Sequence, residues 1–171
     1  LNIQCGGGCD PFANLSAKER EQMRAENGGA RVGLANLGEP GETFSINETV
    51  GQRTAEKGFV EAGAIANGEH VDEIGGGVSQ FATTMFNAAF FAGLPFGEYQ
   101  AHSEYFDRYP YGREATMGWE HPDLQWKNNT PYGILVATSS TPTSVTVTLW
   151  STQHAYGTQT GQTKGRSGNC T

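Results

Sequence analysis

The sequence predicts an α+β fold: one buried central helix packed on a mainly antiparallel sheet, with Gly-rich loops on both sides. Three observations predict it. Between Val78 and Gly93, the residues Val78, Phe81, Ala82, Met85, Phe86, Ala89, Phe90 and Phe91 leave little room for a polar face, as in a helix enclosed by its domain. Residues Ser144 to Trp150 alternate, with Val145, Val147 and Leu149 on one face and Ser144, Thr146 and Thr148 on the other, the period of a half-buried strand. Finally, 24 glycines beside 17% charged residues describe a loop-rich chain that is neither disordered by composition nor coiled-coil-like. The strands are expected largely after the helix.

In chain order, residues 1 to 12 are Gly- and Cys-rich and irregular, and Ser16 to Ala25 carries strong helix formers behind a good N-cap, ended by Gly28-Gly29. Glu39-Pro40-Gly41-Glu42 is a turn, and Thr43-Phe44-Ser45-Ile46 alternates as a short strand that turns Phe44 and Ile46 to the core. Phe59 to Ile65 is extended and enters a hairpin at Asn67-Gly68, which supply the positive-φ residues of a tight turn. Gly93 ends the central helix and Pro95 prevents its resumption. Extended runs follow at Tyr99 to Ser103, Leu124 to Lys127, Gly133 to Ser139 and Ser144 to Trp150, the last two joined through Thr141-Pro142-Thr143. From Ser151 the composition shifts to Gly, Thr, Gln and Ser, a tail or wrapping arm.

The 171 residues suit one domain with loose ends. A net charge of -7 with scattered basic residues argues against a nucleic-acid partner, which would require clustered Lys and Arg. No apolar run approaches the roughly 20 residues of a membrane span, so the chain reads as soluble. Cys5, Cys9 and Cys170 lie at the two ends, and one Cys-x3-Cys pair without a second is poor zinc spacing, so no metal or cofactor is expected. A disulfide joins Cys5 to Cys9 or one of them to Cys170, and the odd thiol is free or links another chain, which allows self-association or a disulfide-linked partner.

The most informative stretch runs from Ile74 through Gly75-Gly76-Gly77-Val78-Ser79-Gln80 to Thr84. Consecutive glycines let a backbone or a ligand approach closely, and the first turn of the helix presents unpaired N–H groups with partial positive charge. Ser79 there is either a helix cap or a nucleophile awaiting a base.

The motifs Pro40-Gly41-Glu42-Thr43-Phe44-Ser45-Ile46-Asn47, Val50-Gly51-Gln52-Arg53-Thr54-Ala55-Glu56-Lys57-Gly58-Phe59 and Gly75-Gly76-Gly77-Val78-Ser79-Gln80 occur in order. They are followed by Thr83-Thr84, Asn87-Ala88-Ala89, His102-Ser103, Tyr109-Pro110, Gly112-Arg113-Glu114-Ala115-Thr116 and Asp123-Leu124-Gln125-Trp126-Lys127-Asn128-Asn129-Thr130. In this order they closely resemble the VanW-like domain, over about residues 39 to 150. The resemblance divides the chain into an N-terminal arm with a short helix (1–38), a VanW-like domain (39–150) and a C-terminal tail (151–171). It implies a bacterial, extracellular or cell-surface protein related to glycopeptide resistance, with peptidoglycan or another wall polymer as partner. Members often carry Cys where Ser79 stands and Asp where Glu114 stands.

A residue opening a buried helix, then a His, then an Asp, looks like the order of transglutaminase-like and papain-like enzymes; here it gives Ser79, His102 and Asp123 as candidate catalytic residues. In that reading His102 takes the hydroxyl proton, Asp123 orients the imidazole, and N–H groups around Gly75, Gly76 and Gly77 stabilise an oxyanion, giving a hydrolase or transpeptidase of wall peptides. A hydroxyl is a weaker nucleophile than a thiol, so Ser79 favours a binding descendant of an enzyme-like fold. The candidate binding residues are Gly75, Gly76, Gly77, Gln80, Thr83, Arg53, Arg113 and Glu114. Arg53 clamps a carboxylate or braces its own loop, and Arg113 pairs with Glu114 or contacts an anion. The tryptophans and tyrosines are core residues or platforms for sugar rings. A structural subunit of a surface assembly is the third reading, resting on the odd cysteine and the tail.

Overall fold

The computed structural model describes residues 35–37, 40–66, 69–141 and 144–161. The expected helix at Ser16 to Ala25, all three cysteines, and the loop residues Asn67-Gly68 and Pro142-Thr143 lie outside the described residues.

The architecture is α+β, with one main helix and three small antiparallel sheets among the described residues. The strands are β1 (Ala35–Leu37), β2 (Thr43–Ser45), β3 (Glu61–Ala66), β4 (Glu69–Ile74), β5 (Gln125–Lys127), β6 (Ile134–Thr141) and β7 (Ser144–Trp150). The helices are α1 (Ile46–Val50) and α2 (Val78–Phe91), with a 3-10 turn at Ala55–Lys57. The sheets are β1-β6-β7, β2-β5 and the hairpin β3-β4. Among the described residues four strands precede α2 and three follow it: β1 and β2 from the first half of the chain complete sheets built by the second, while β3 and β4 pair with each other.

The expected strand at Thr43 to Ile46 stops one residue early. Ser45 Oγ accepts the Glu48 N–H at 2.9 Å and caps α1, so Ile46 enters the core from a helix. Both Phe44 and Ile46 are buried, as expected. In the register of β2 with β5, Phe44 lies opposite Trp126 and their rings stack at 5.1 Å. The far edge of β5 is covered by residues 95–98: Lys127 N–H donates to Pro95 O, Gly97 N–H to Gln125 O and Gln125 N–H to Glu98 O. Residues 99–103 form no strand.

α2 occupies the centre. Phe81, Ala82, Met85, Phe86, Ala88 and Ala89 are buried against Trp126, Leu124, Ile134, Val136 and Val147. Its C-terminus closes in a Schellman arrangement, with Leu94 N–H donating to Ala89 O and Gly93 N–H to Phe90 O, both at 3.0 Å. Gly93 takes the left-handed conformation this requires, φ +72°. Residues 155–157 pass over this end, where the Gly157 N–H donates to Phe91 O at 2.9 Å. At the other end Gly77, not Ser79, is the capping residue, and Ser79 lies inside the first turn.

Candidate functional site

Besides Gln80 and Thr84, the polar residues of α2 form one narrow stripe, Ser79, Thr83 and Asn87, spaced four residues apart. Four residues of helix rise about 6 Å, close to the roughly 6.6 Å of two extended residues. The stripe can therefore mate with an extended chain, and it mates with residues 113–117. Met117 N–H donates to Ser79 Oγ at 3.2 Å. Ala115 N–H donates to Thr83 Oγ1 at 3.1 Å while Thr83 Oγ1 donates to Ala115 O at 3.2 Å. Asn87 Nδ2 donates to Arg113 O at 3.0 Å. The Gly-Gly-Gly-Val-Ser-Gln and Gly-Arg-Glu-Ala-Thr motifs are thus the two sides of one hydrogen-bond ladder that lets a helix serve as the neighbour of an extended strand.

Alternate N–H groups of that segment point opposite ways: those of Ala115 and Met117 face α2, and that of Thr116 donates to Gln100 O at 2.8 Å. Neighbouring side chains likewise diverge. Arg113 donates to Asn87 Oδ1 and lies over the rings of Phe91 and Phe90, 4.9 and 5.9 Å from their centroids. Glu114 turns the other way, and its Oε2 lies 2.6 Å from His102 Nδ1. The expected Arg113–Glu114 pair does not form, because adjacent positions on an extended chain face opposite sides. The His102 ring stacks on Tyr109 at 5.4 Å and meets Phe106 edge-on at 5.1 Å, and Arg108 lies over both of those rings.

Asp123 belongs to a different cluster. Its side chain is buried and accepts four hydrogen bonds: Ser45 Oγ at 2.5 Å, Asn47 N–H at 3.0 Å, Leu124 N–H at 2.8 Å and Gln125 Nε2 at 3.1 Å. Asn47 Nδ2 extends the network to the carbonyls of Gly118 (3.1 Å) and Glu120 (2.7 Å). Arg53 joins it by donating to Asn47 Oδ1 and to Gly118 O at 2.5 Å, with its guanidinium over Trp119. Burial lowers the Arg53 pKa, and the charges of Asp123 and Glu73 oppose that shift. At the rim, His121 Nδ1 meets the Glu98 carboxylate at 2.8 Å, and the Asp123 N–H donates to the same Oε1 at 3.0 Å. The hydrogen bond to Glu98 raises the His121 pKa, and the bond to His121 lowers that of Glu98.

The glycine run is pressed between these parts. A Cβ on Gly76 would sit 1.8 Å from the Ala62 carbonyl oxygen, and one on Gly75 would sit 2.6 Å from Arg53 Cβ. The close approach expected of these glycines is made by the β3-β4 hairpin and by Arg53.

The expected trio is therefore divided. His102 pairs with Glu114, Asp123 is enclosed by Ser45 and Asn47, and no hydrogen bond joins Ser79, His102 and Asp123 to one another. Ser79 and His102 are connected through the 113–117 segment, where Ser79 Oγ lies 3.4 Å from Thr116 Oγ1 and Glu114 holds His102. Gln80 is exposed on the first turn of α2. Ser45, Asn47 and Asn87 stand within the quoted motifs but not among the candidate site residues. Ser45-x-x-Glu48 is a capping-box spacing that marks the first, and the four-residue polar stripe on an apolar helix marks the last. Chemically, the His102–Glu114 pair can accept or move a proton at Nε2, and the Asp123 cluster locks chain segments together. Of the tryptophans, Trp126 is wholly buried and Trp119 is 45% exposed. Among the described residues no group of three or more His, Cys, Asp or Glu side chains could hold a metal ion, and no helix is long and apolar enough to cross a membrane.

A family model described as "VanW like protein" matches residues 35–150. The "Uncharacterized protein YoaR" of Bacillus subtilis (strain 168) is 38% identical over 112 residues, 66% of this chain and 37% of YoaR, so the match spans little more than a third of that relative's length. No solved structure matches the chain.

Proposed function

The chain belongs to the VanW-like family, which is consistent with a cell-envelope protein, and from that premise we propose that this is an extracellular domain that binds peptidoglycan or a related wall polymer. The observation that supports binding over catalysis is the occupation of the expected catalytic groups. Asp123 accepts four hydrogen bonds from its own surroundings, and Ser79 Oγ accepts a backbone N–H while no base among the described residues is hydrogen-bonded to it. A hydroxyl without an adjacent base is a poor nucleophile. Exposed aromatic surface at Tyr99, Tyr105 and Trp119 supplies faces on which the apolar side of a sugar can rest.

Acyl transfer on wall peptides keeps the support of one observation: His102 carries a carboxylate partner, Glu114, in the place expected of Asp123. Purified wall sacculi separate the two readings. Binding predicts that the protein co-sediments with sacculi, leaves the muropeptide profile unchanged, and still co-sediments as Ser79→Ala. Altered cross-links that vanish in Ser79→Ala would overturn the binding reading in favour of acyl transfer.

A further inference from the structure

His102 is held on three sides. Glu114 fixes Nδ1 at 2.6 Å, Tyr109 stacks on one face of the ring and Phe106 abuts it edge-on. The imidazole and carboxylate keep only 9% and 12% of their side-chain area exposed. The fourth side is open. Nε2 has no hydrogen-bond partner among the described residues, yet it is not one of the buried unpaired atoms, which are Arg113 Nε and Trp126 Nε1. What remains exposed of the ring therefore includes Nε2. An exposed ring nitrogen is free to hydrogen-bond water, and a ligand O–H or N–H can take the place of that water.

The pairing also sets the chemistry of that nitrogen. An ionised carboxylate only accepts, so facing it a neutral imidazole would place its proton on Nδ1 and present the Nε2 lone pair outward. The same 102–111 loop carries Tyr105, 57% exposed and 4.5 Å from the Tyr111 ring. Resting on the wall-binding reading above, we propose that His102 Nε2 is the acceptor that takes an O–H or N–H of the wall polymer. Glu114 is a positioning residue that fixes the tautomer, and Tyr109 and Phe106 fix the ring. Such pre-ordering lowers the entropy lost on binding.

The test compares full-chain wild type, His102→Gln and Glu114→Gln in co-sedimentation with purified sacculi. It is joined to long-range 1H–15N spectra of the wild-type histidines with and without soluble glycan strands, prepared both free of peptide and bearing stem peptides. Wild type should bind, and each variant should weaken by about three- to ten-fold, the loss of one hydrogen bond. The spectra should show the Nδ1–H tautomer at His102, with an Nε2 resonance that moves on adding strands. A response to peptide-free strands assigns the donor to the sugar, and a response only to peptide-bearing strands assigns it to the stem peptide. Either supports the inference. Glu114→Gln should disturb the tautomer, which a packing role would leave alone. Unchanged affinity in both variants overturns the inference while the binding reading stands, whereas failure of wild type to bind overturns both. If His102→Gln does not fold, a wild-type Nε2 resonance that stays fixed at saturating strand concentration overturns the inference.

Discussion

Two carboxylates of this domain, Asp123 and Glu114, are satisfied in opposite ways. Asp123 is fully enclosed, and its acceptors are filled by Ser45, Asn47, Leu124 and Gln125, groups drawn from two separated stretches of chain. Glu114 faces a single imidazole whose second nitrogen has no hydrogen-bond partner among the described residues. The first arrangement joins β2 and α1 to the chain entering β5 and leaves nothing over for a ligand. The second ends in an atom with unused capacity. A saturated polar cluster suits a structural joint, and the unpaired nitrogen of the other pair is the atom that the proposed wall-polymer contact would use.

The largest effect expected from this contrast is on Asp123. Asp123→Ala strands a buried hydroxyl and two backbone N–H groups, and should cost about 3–5 kcal/mol in denaturant unfolding; a loss under 1 kcal/mol would mean the cluster is not a joint. Next is Gly76→Ala. Its new Cβ would press on the Ala62 backbone, which cannot move aside as a flexible side chain would, so a loss of about 1–3 kcal/mol is expected. An unchanged midpoint would show that the hairpin does not press on the glycine run.

The ladder between α2 and residues 113–117 grades these effects further. Thr83→Val keeps the shape but leaves both the N–H and C=O of buried Ala115 unpaired, at about 1–3 kcal/mol. Ser79→Ala removes the 3.2 Å bond from Met117 N–H and the longer 3.4 Å contact with Thr116 Oγ1 at the half-buried end of the ladder, and should cost about 0.5–1.5 kcal/mol. The reverse order in equilibrium unfolding would show that the helix N-terminus, not the ladder's middle, anchors the segment.

Smallest is the rim pair Glu98–His121. The raised His121 pKa gives a contribution that is full below 6.5 and lost as pH rises through the folded-state value. The lowered Glu98 pKa gives one that is full above 4.5 and lost as pH falls through its folded-state value. The pair therefore contributes most between pH 4.5 and 6.5. The wild-type minus His121→Gln difference in melting temperature should be positive near pH 5.5 and fall toward zero by about pH 8.5. A difference independent of pH would remove the pair from the account.

Much of this fold is legible in the sequence where apolar pattern and punctuation agree. α2 was marked by its continuous apolar surface and by glycines at both ends, and β7 by strict alternation, and both appear within two residues of the expected bounds. α1 was missed because alternation at Thr43–Ile46 mimics a strand, while the Ser45 cap redirects the chain one residue earlier. β1 is three residues long and owes its existence to the edge of β6, a long-range partner that local pattern does not encode. Site residues followed the same division. The motifs mark stretches that the fold brings together, and His102 and Glu114 are both among the candidates, but their pairing depends on which face of an extended segment each side chain takes. Chain order placed Asp123 third after Ser79 and His102; it carries no information about distance.

The most direct test exchanges the two carboxylates' fates. Asp123→Asn and Glu114→Gln each remove one charge with little change in shape, and each variant is measured for melting temperature and for sacculus binding well below its melting point. Asp123→Asn should melt lower and still bind, while Glu114→Gln should melt near wild type and bind several-fold more weakly. Glu114→Gln binding as wild type, with Asp123→Asn folded but unable to bind, would contradict this and move the functional centre to Asp123.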